Sequence, residues 1–308
     1  MAQYLWQRIT ASLPVIVGVS ILVFLMLHLV PGDPVMVLLG EHSAVNKEAL
    51  ERLRATLGLN DPLPVQYGRF VWRAVHGDLG RSIRLNLPVT ELVLQALRPT
   101  AGLAFAAMLL AIAGGLLLGV IAAVNRGRFL DNLAMFFGLI GVSMPSFWLG
   151  FLLIFLFSVR LGWFPATGQG GWNRLVLPAL ALSLAPLAIL ARLVRSSMLE
   201  VYRQPYVTTA RAKGLTERVV VYHHTLRNAL VPVVTLIGLE FGRLLAGAFV
   251  IETVFSRVGL GRLAITGILN KDFPVVQGVA LLVAVIYAGI NLLVDLSYAY
   301  LDPRVRYA

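Results

Sequence analysis

Apolar residues run almost unbroken from Leu13 to Val30, and similar runs recur at about Thr100–Val124, Leu133–Val159, Leu175–Val194, Ala229–Ile251 and Val275–Leu296. A helix needs about 20 such residues to cross the hydrocarbon of a bilayer. The pattern therefore predicts an all-α membrane protein with six transmembrane helices, the first covering roughly Ile9–Val30. Pro31-Gly32-Asp33-Pro34 ends that first span, because two prolines and a glycine do not continue a helix. Arg8 before an apolar run resembles a secretory leader, but the run is longer than a leader's core and no A-x-A-like site follows it. It reads as a retained helix.

The polar breaks carry their own pattern. Between Glu41 and Arg98, Leu50, Leu53 and Leu57 recur at helical spacing with Gly58 as a stop. Pro64 starts a second short helix through Val71 and Val75 to about Gly77, and Pro88 starts a third. Within the spans, Gly114, Gly115 and Gly119 allow a neighbouring helix to come close. Ser143-Met144-Pro145-Ser146 predicts a bend in the third span, and Pro178 and Pro186 predict kinks in the fourth. Glu252 to Pro274 reads as a re-entrant or interfacial hairpin. Between spans four and five, Val207, Ala210 and Arg211 lead to Gly214, and Thr216 caps a second short helix through Val220 and His224 to Leu226. Pattern alone leaves two readings of this segment open, a solvated linker or a protruding knob. The organisation is thus a first span (1–30), a loop with short helices (31–99), a five-helix core (100–300) that includes the segment 203–228, and a tail (301–308).

Composition and charge narrow the class. Of 308 residues, 58% are hydrophobic and only 13% charged, against about a quarter charged in soluble domains. The net charge of +11 has no basic run beside a soluble fold, so nucleic acid is not the implied partner. Arg and Lys instead gather on one set of short flanks: Arg126, Arg128, Arg192, Arg195, Arg203 and others against Arg160, Arg174, Arg257, Arg262 and Lys271 opposite. The positive-inside bias puts both termini in the cytoplasm and the 31–99 loop outside. With no cysteine, disulfides, thiolate metal sites and cysteine nucleophiles are excluded.

The segment Tyr206–Pro232 closely resembles the cytoplasmic EAA loop of bacterial ABC importer permeases, in the form found in dipeptide and oligopeptide permeases. Thr209, Ala210 and Gly214 fall on its small-residue and glycine positions, Arg227-Asn228-Ala229-Leu230-Val231-Pro232 on its closing stretch, and Thr208 where the general motif has glutamate. The resemblance extends along the chain. Pro31–Pro34, Leu57-Gly58-Leu59 with Asp61-Pro62-Leu63, and His76 through Ser82 are similar to the family's first span end and first periplasmic loop. Glu252-Thr253-Val254-Phe255, Gly259-Leu260-Gly261-Arg262, Asp272 through Gly278, Asn291 through Asp295 and Asp302-Pro303-Arg304 match its last external loop and C-terminal end. Val258 departs from the proline often found there.

The resemblance implies a type I (MetI-like) importer permease fold, with one peripheral and five core helices. It implies half of a translocation pathway for di- or oligopeptides, and a coupling helix docking on a separate ATPase. Thr209, Ala210, Arg211, Lys213, Gly214, Leu215, Glu217 and Arg218 fall to that coupling role, and Glu252, Phe255, Gly259 and Gly261 to the external hairpin. The implied partners are a second related permease, two ATPase subunits that bind ATP and Mg, an external substrate-binding protein and membrane lipid. Relatives within the family carry glutathione, nickel or sugars, and these remain alternatives.

The chain's own chemistry agrees with a non-catalytic subunit. Lys47, Lys213 and Lys271 are its three lysines and none follows a glycine, so it lacks a G-x-x-x-x-G-K-[ST] phosphate loop. Small residues such as Ala210 and Gly214 allow two backbones to approach, and Arg211, Lys213 and Arg218 suit acidic residues on a partner. Glu240 lies mid-membrane in the fifth span with Arg243 one turn on. A charge there costs about 2.5–3.5 kcal/mol on insertion scales, so it needs a partner or a watery cavity. Two readings stand: an internal ion pair, or a polar pathway lining together with Ser143 and Pro145. A proton-coupled transporter using Glu240 is a further alternative, though the inverted repeats of such carriers are not evident.

Overall fold

The computed structural model describes residues 2–29 and 60–301. The loop residues Pro31–Pro34, Leu57–Leu59 and the rest of 30–59, with Asp302–Arg304 and the remainder of the tail, lie outside the described residues. The described chain is mostly helical: α1 Ala2–Leu29, α2 Leu63–Val75, α3 Val89–Val124, α4 Phe129–Ser143, α5 Ser146–Leu153, α6 Asn173–Val201, α7 Pro205–Ala212, α8 Glu217–Val219, α9 Arg227–Val254, α10 Leu260–Leu269 and α11 Phe273–Leu301. Wider π-helical turns extend α5 over Ile154–Arg160 and join α8 to α9 over Val220–Leu226.

Among the described residues, four helical stretches are long and apolar enough to cross a membrane: Val89–Val124, Asn173–Val201, Glu217–Leu245 and Phe273–Val294. The bent pair Phe129–Ser143 and Ser146–Arg160 makes a fifth if counted as one span; its halves meet at 105°. Met144 is extended and Pro145 follows; the proline ring disfavours a helical conformation in the residue before it, and here that preference is realised as a break. Thr10–Leu25 and Leu260–Leu269 are apolar but shorter.

Two expected helix ends are absent among the described residues. Val89–Val124 is one helix of 36 residues, not a short helix from Pro88 followed by a span from Thr100. Pro99 lies inside it, and burial on both sides of that proline holds the helix together: Val93 and Ala96 before it, Leu103 and Ala104 after. Likewise the helix capped by Thr216 does not stop at Leu226; the π turns carry it into α9. Pro178 and Pro186 sit within an uninterrupted α6.

The described chain forms two compact units, one built around Pro99–Arg257 and the other around Trp6–Arg98 with Val258–Ala288. In the first, α6 is the most buried element, with Leu177, Leu190, Val194 and Met198 enclosed. α3 meets it through glycine. A Cβ at Gly115 would lie 3.1 Å from the Leu187 carbonyl, and one at Gly119 2.8 Å from the Ala191 carbonyl. α4 does the same with Gly141, 3.0 Å from the Leu184 carbonyl. These contacts are against backbone, which cannot rotate aside. Gly119→Leu is expected to lose most of the folded chain in the membrane through overpacking of about 1–3 kcal/mol or more; wild-type yield and thermal stability in detergent would overturn this.

In the second unit, Val89, Val93, Leu260, Val275 and Val279 make the core. Buried Asp272 takes the Ser82 hydroxyl at 2.5 Å and the Ile83 N–H at 3.1 Å, so a carboxylate caps the 82–84 turn. Ser20 and Tyr67 hydroxyls meet at 2.8 Å, joining α1 to α2.

Candidate coupling and pathway sites

The α7 segment begins with Pro205, whose fixed φ suits a first turn. Its end is a Schellman turn: the Gly214 N–H donates to the Arg211 carbonyl at 2.9 Å and the Leu215 N–H to the Ala210 carbonyl at 3.4 Å. That closure needs Gly214 in the left-handed region, and its φ is +78°. Val207 and Ala210 are buried against Val220, with Val201 and Tyr202 packed beside them. The knob therefore has a small core of its own.

Arg211 donates to both Glu217 carboxylate oxygens, at 2.7 and 3.3 Å, and lies 5.4 Å from the Tyr202 ring centre. Glu217 holds the Arg211 guanidinium further above its ordinary pKa. Burial pushes the Tyr202 phenol up, the Glu217 carboxylate adds to this, and Arg211 opposes it. The Asn228 amide donates to the Tyr206 hydroxyl at 3.1 Å and the His224 carbonyl at 2.8 Å, fastening the knob to the start of α9. Thr209 donates to the Pro205 carbonyl at 3.1 Å. Lys213, Gly214, Leu215 and Arg218 face outward.

Three of these residues also have roles within the chain itself. Ala210 is buried in the knob's own core, where its small size admits Val220, and so is not an outward contact. Arg211 is paired with Glu217 but stays exposed, so it shares the outward face with Lys213 and Arg218. Gly214 is favoured by its φ of +78°, and among the described residues nothing beyond its chain neighbours comes within 4 Å of where its Cβ would be.

Arg243 donates to Glu240 at 2.8 Å. The Glu240 side chain is 6% exposed and that of Arg243 68%, so the ion pair exists and its cation faces away from this chain. Ser143 and Pro145 are exposed at the 105° break. Of the four residues expected in the external hairpin, two fall in each compact unit. Glu252 is in the last turns of α9, 1% exposed, and accepts the Thr100 hydroxyl at 2.5 Å; Phe255 is buried after it. Both belong to the first unit. Gly259 precedes α10 and Gly261 lies within it, in the second unit. Arg257, also buried, donates to the Arg174 carbonyl at 3.2 Å, and burial lowers its guanidinium pKa while Glu252 opposes that.

Sequence reasoning missed a buried ion pair of good geometry. Arg195 of α6 reaches Asp131 of α4 with two hydrogen bonds, 2.6 and 2.8 Å, and Asp131 also accepts the Gly127 N–H at 2.9 Å. Asp131 is 2% exposed. An acid beside Arg126 and Arg128 at a span end looks like a local charge balance; its partner 64 residues away leaves no local trace.

Residues 115–307 match the family described as binding-protein-dependent transport system inner membrane component, and residues 1–98 match the N-terminal part of the corresponding membrane component. A Brucella abortus (strain 2308) relative named for a peptide transport system permease is 44% identical over 315 residues, covering all of both chains. The dipeptide transport system permease protein DppB of Escherichia coli (strain K12) is 41% identical over 338 residues, covering 100% of this chain and 99% of that one. Among solved structures, the inward-facing MetNI methionine ABC transporter aligns with 68% of this chain and 96% of its own, at a TM-score of 0.58 and 22% identity. That likeness concerns the fold.

Proposed function

The chain belongs to the binding-protein-dependent transport system inner membrane component family and is the permease subunit of an importer, and on that premise we propose that its cargo is a dipeptide or oligopeptide. Full-length identity to peptide and dipeptide permeases supports this cargo over glutathione, nickel or sugar. In this reading six spans cross the membrane, α1 and the bent α4–α5 pair being two of them, with both termini cytoplasmic and the 31–99 loop outside. The chain forms half of the pathway with a second, related permease. Two ATPase subunits bind ATP and Mg and do the hydrolysis, and an external binding protein delivers the substrate.

The observation that carries the mechanism is the outward turn Lys213-Gly214-Leu215 on a knob that is both internally packed and hydrogen-bonded to the start of α9. A force on a floppy linker dissipates. A force on this turn is transmitted through Val207–Val220 packing and the continuous path from Glu217 into α9, the helix that carries Glu240 and Arg243. Closure of the ATPase pair thus shifts the bundle between outward and inward access. Ser143 and Pro145 at the broken span, with Arg243, are the proposed pathway-facing groups, suited to a zwitterionic peptide.

Because the chain has no cysteine, Leu215→Cys introduces a single thiol. A short bifunctional thiol–amine reagent is expected to join it to the ATPase subunit in inside-out vesicles of the whole complex. Labelling of that thiol in intact cells by a membrane-impermeant reagent would place the knob outside and end the proposal.

A further inference from the structure

We propose that a cavity in the second unit is a binding site for the zwitterionic headgroup of a phospholipid, of the phosphoethanolamine type. The cavity, of about 180 Å³, is lined by Phe24 of α1, Arg69, Phe70 and Arg73 of α2, Asp78 of the following turn and Gln277 of α11, among others. The inference rests on the membrane placement proposed above.

Depth is the first argument. Phe24 lies at the end of the apolar stretch Thr10–Leu25, and Gln277 lies at the beginning of the apolar span Phe273–Val294. Both apolar segments therefore end at the cavity, and headgroups lie where apolar segments end. The two ends are tied together, since the Gln277 amide donates to the Val23 carbonyl at 3.0 Å.

Charge is the second. Arg69 is paired with Asp61 at 2.6 Å. Arg73 has no carboxylate partner among the described residues. Asp78 gives one oxygen to the Gly80 N–H at 2.9 Å and keeps the other. One guanidinium and one carboxylate oxygen thus remain for a ligand, and a ligand of matching chemistry carries a phosphate and an ammonium. An anionic headgroup would satisfy the first and oppose the second.

The surface beside the cavity separates lipid from a soluble zwitterion. α2 turns Tyr67 and Phe70 inward against Phe24, with ring centres 5.5 and 6.0 Å away. Its opposite side leaves Val65, Trp72 and Val75 uncovered, Trp72 at 68% and Val75 at 77% exposure. A helix with uncovered Trp and Val beside Arg lies in the interface plane, its apolar side in the acyl boundary. A headgroup in the cavity has somewhere to send its tails.

The test uses the intact importer complex in nanodiscs of phosphatidylethanolamine, phosphatidylcholine or phosphatidylglycerol, with lipid retained after a detergent wash counted by native mass spectrometry. Phosphatidylethanolamine is expected to be retained on the wild type. Arg73→Ala is expected to cut its occupancy about tenfold, the loss of one charge-assisted hydrogen bond, while Arg73→Lys keeps most of it. Asp78→Asn is expected to abolish the preference for phosphatidylethanolamine over phosphatidylcholine. Equal retention by wild type and Arg73→Ala overturns the proposal. So does displacement by the dipeptide Ala-Ala, which assigns the cavity to a soluble ligand. Leu215→Cys accessibility reports separately on the membrane placement.

Discussion

Gly214→Val is expected to leave the chain in the membrane at close to its normal level and to reduce dipeptide uptake by the complex below about a tenth. The local cost is a non-glycine residue in the left-handed region, about 1–2 kcal/mol and more for a β-branched one. The knob evades that cost by opening its Schellman turn, which releases the Leu215 N–H from the Ala210 carbonyl and moves the outward face that includes Lys213 and Arg218. Nothing in the membrane-spanning helices is touched, so insertion survives. Gly214→Asn is the control, because asparagine tolerates this φ far better than valine does, and it should retain most of the uptake. Equal activity of the Val and Asn variants would show that the turn geometry does not matter to coupling. Normal substrate-stimulated ATP hydrolysis in the Val complex would also count against the coupling role.

The second large effect lies in stability. Arg195→Ala removes both hydrogen bonds to Asp131 and strands a carboxylate that is 2% exposed, leaving among the described residues the Gly127 N–H upon it. Breaking a buried pair by deleting one partner costs about 3–5 kcal/mol; because the Arg195 side chain is 28% exposed, the lower end of that range is expected. The folded fraction in detergent, followed by thermal unfolding, should fall sharply, with α4 released from α6. The double variant Asp131→Asn with Arg195→Met removes the stranded charge and should recover much of the loss. If the double variant proves no better than Arg195→Ala alone, the pair acts otherwise than through buried charge.

These two predictions differ in how they can be read from residues. The knob is a local object. Its start at Pro205, its stop at Gly214 and the Val207–Ala210–Val220 packing all lie within about two dozen residues. Turn chemistry therefore marks the stop at Gly214 without coordinates, but it leaves linker and knob both open; the packing of Val207 and Ala210 on Val220 decides for the knob. The Asp131–Arg195 pair joins residues on different helices, and no spacing rule connects them. The same holds for Ser82 with Asp272 and for Thr100 with Glu252.

What the residues determined by themselves was therefore four of the long apolar helices, the break at Pro145, the start of α2 and the glycine face of α3, because each depends on hydropathy or backbone stereochemistry within a few turns. Only the tertiary structure decided that Pro99 is carried inside one helix, that the segment after Thr216 runs on into α9, that Ala210 turns inward, and that Glu252 and Gly259 belong to different units. Those outcomes depend on which distant surface each residue finds to bury against or to pair with.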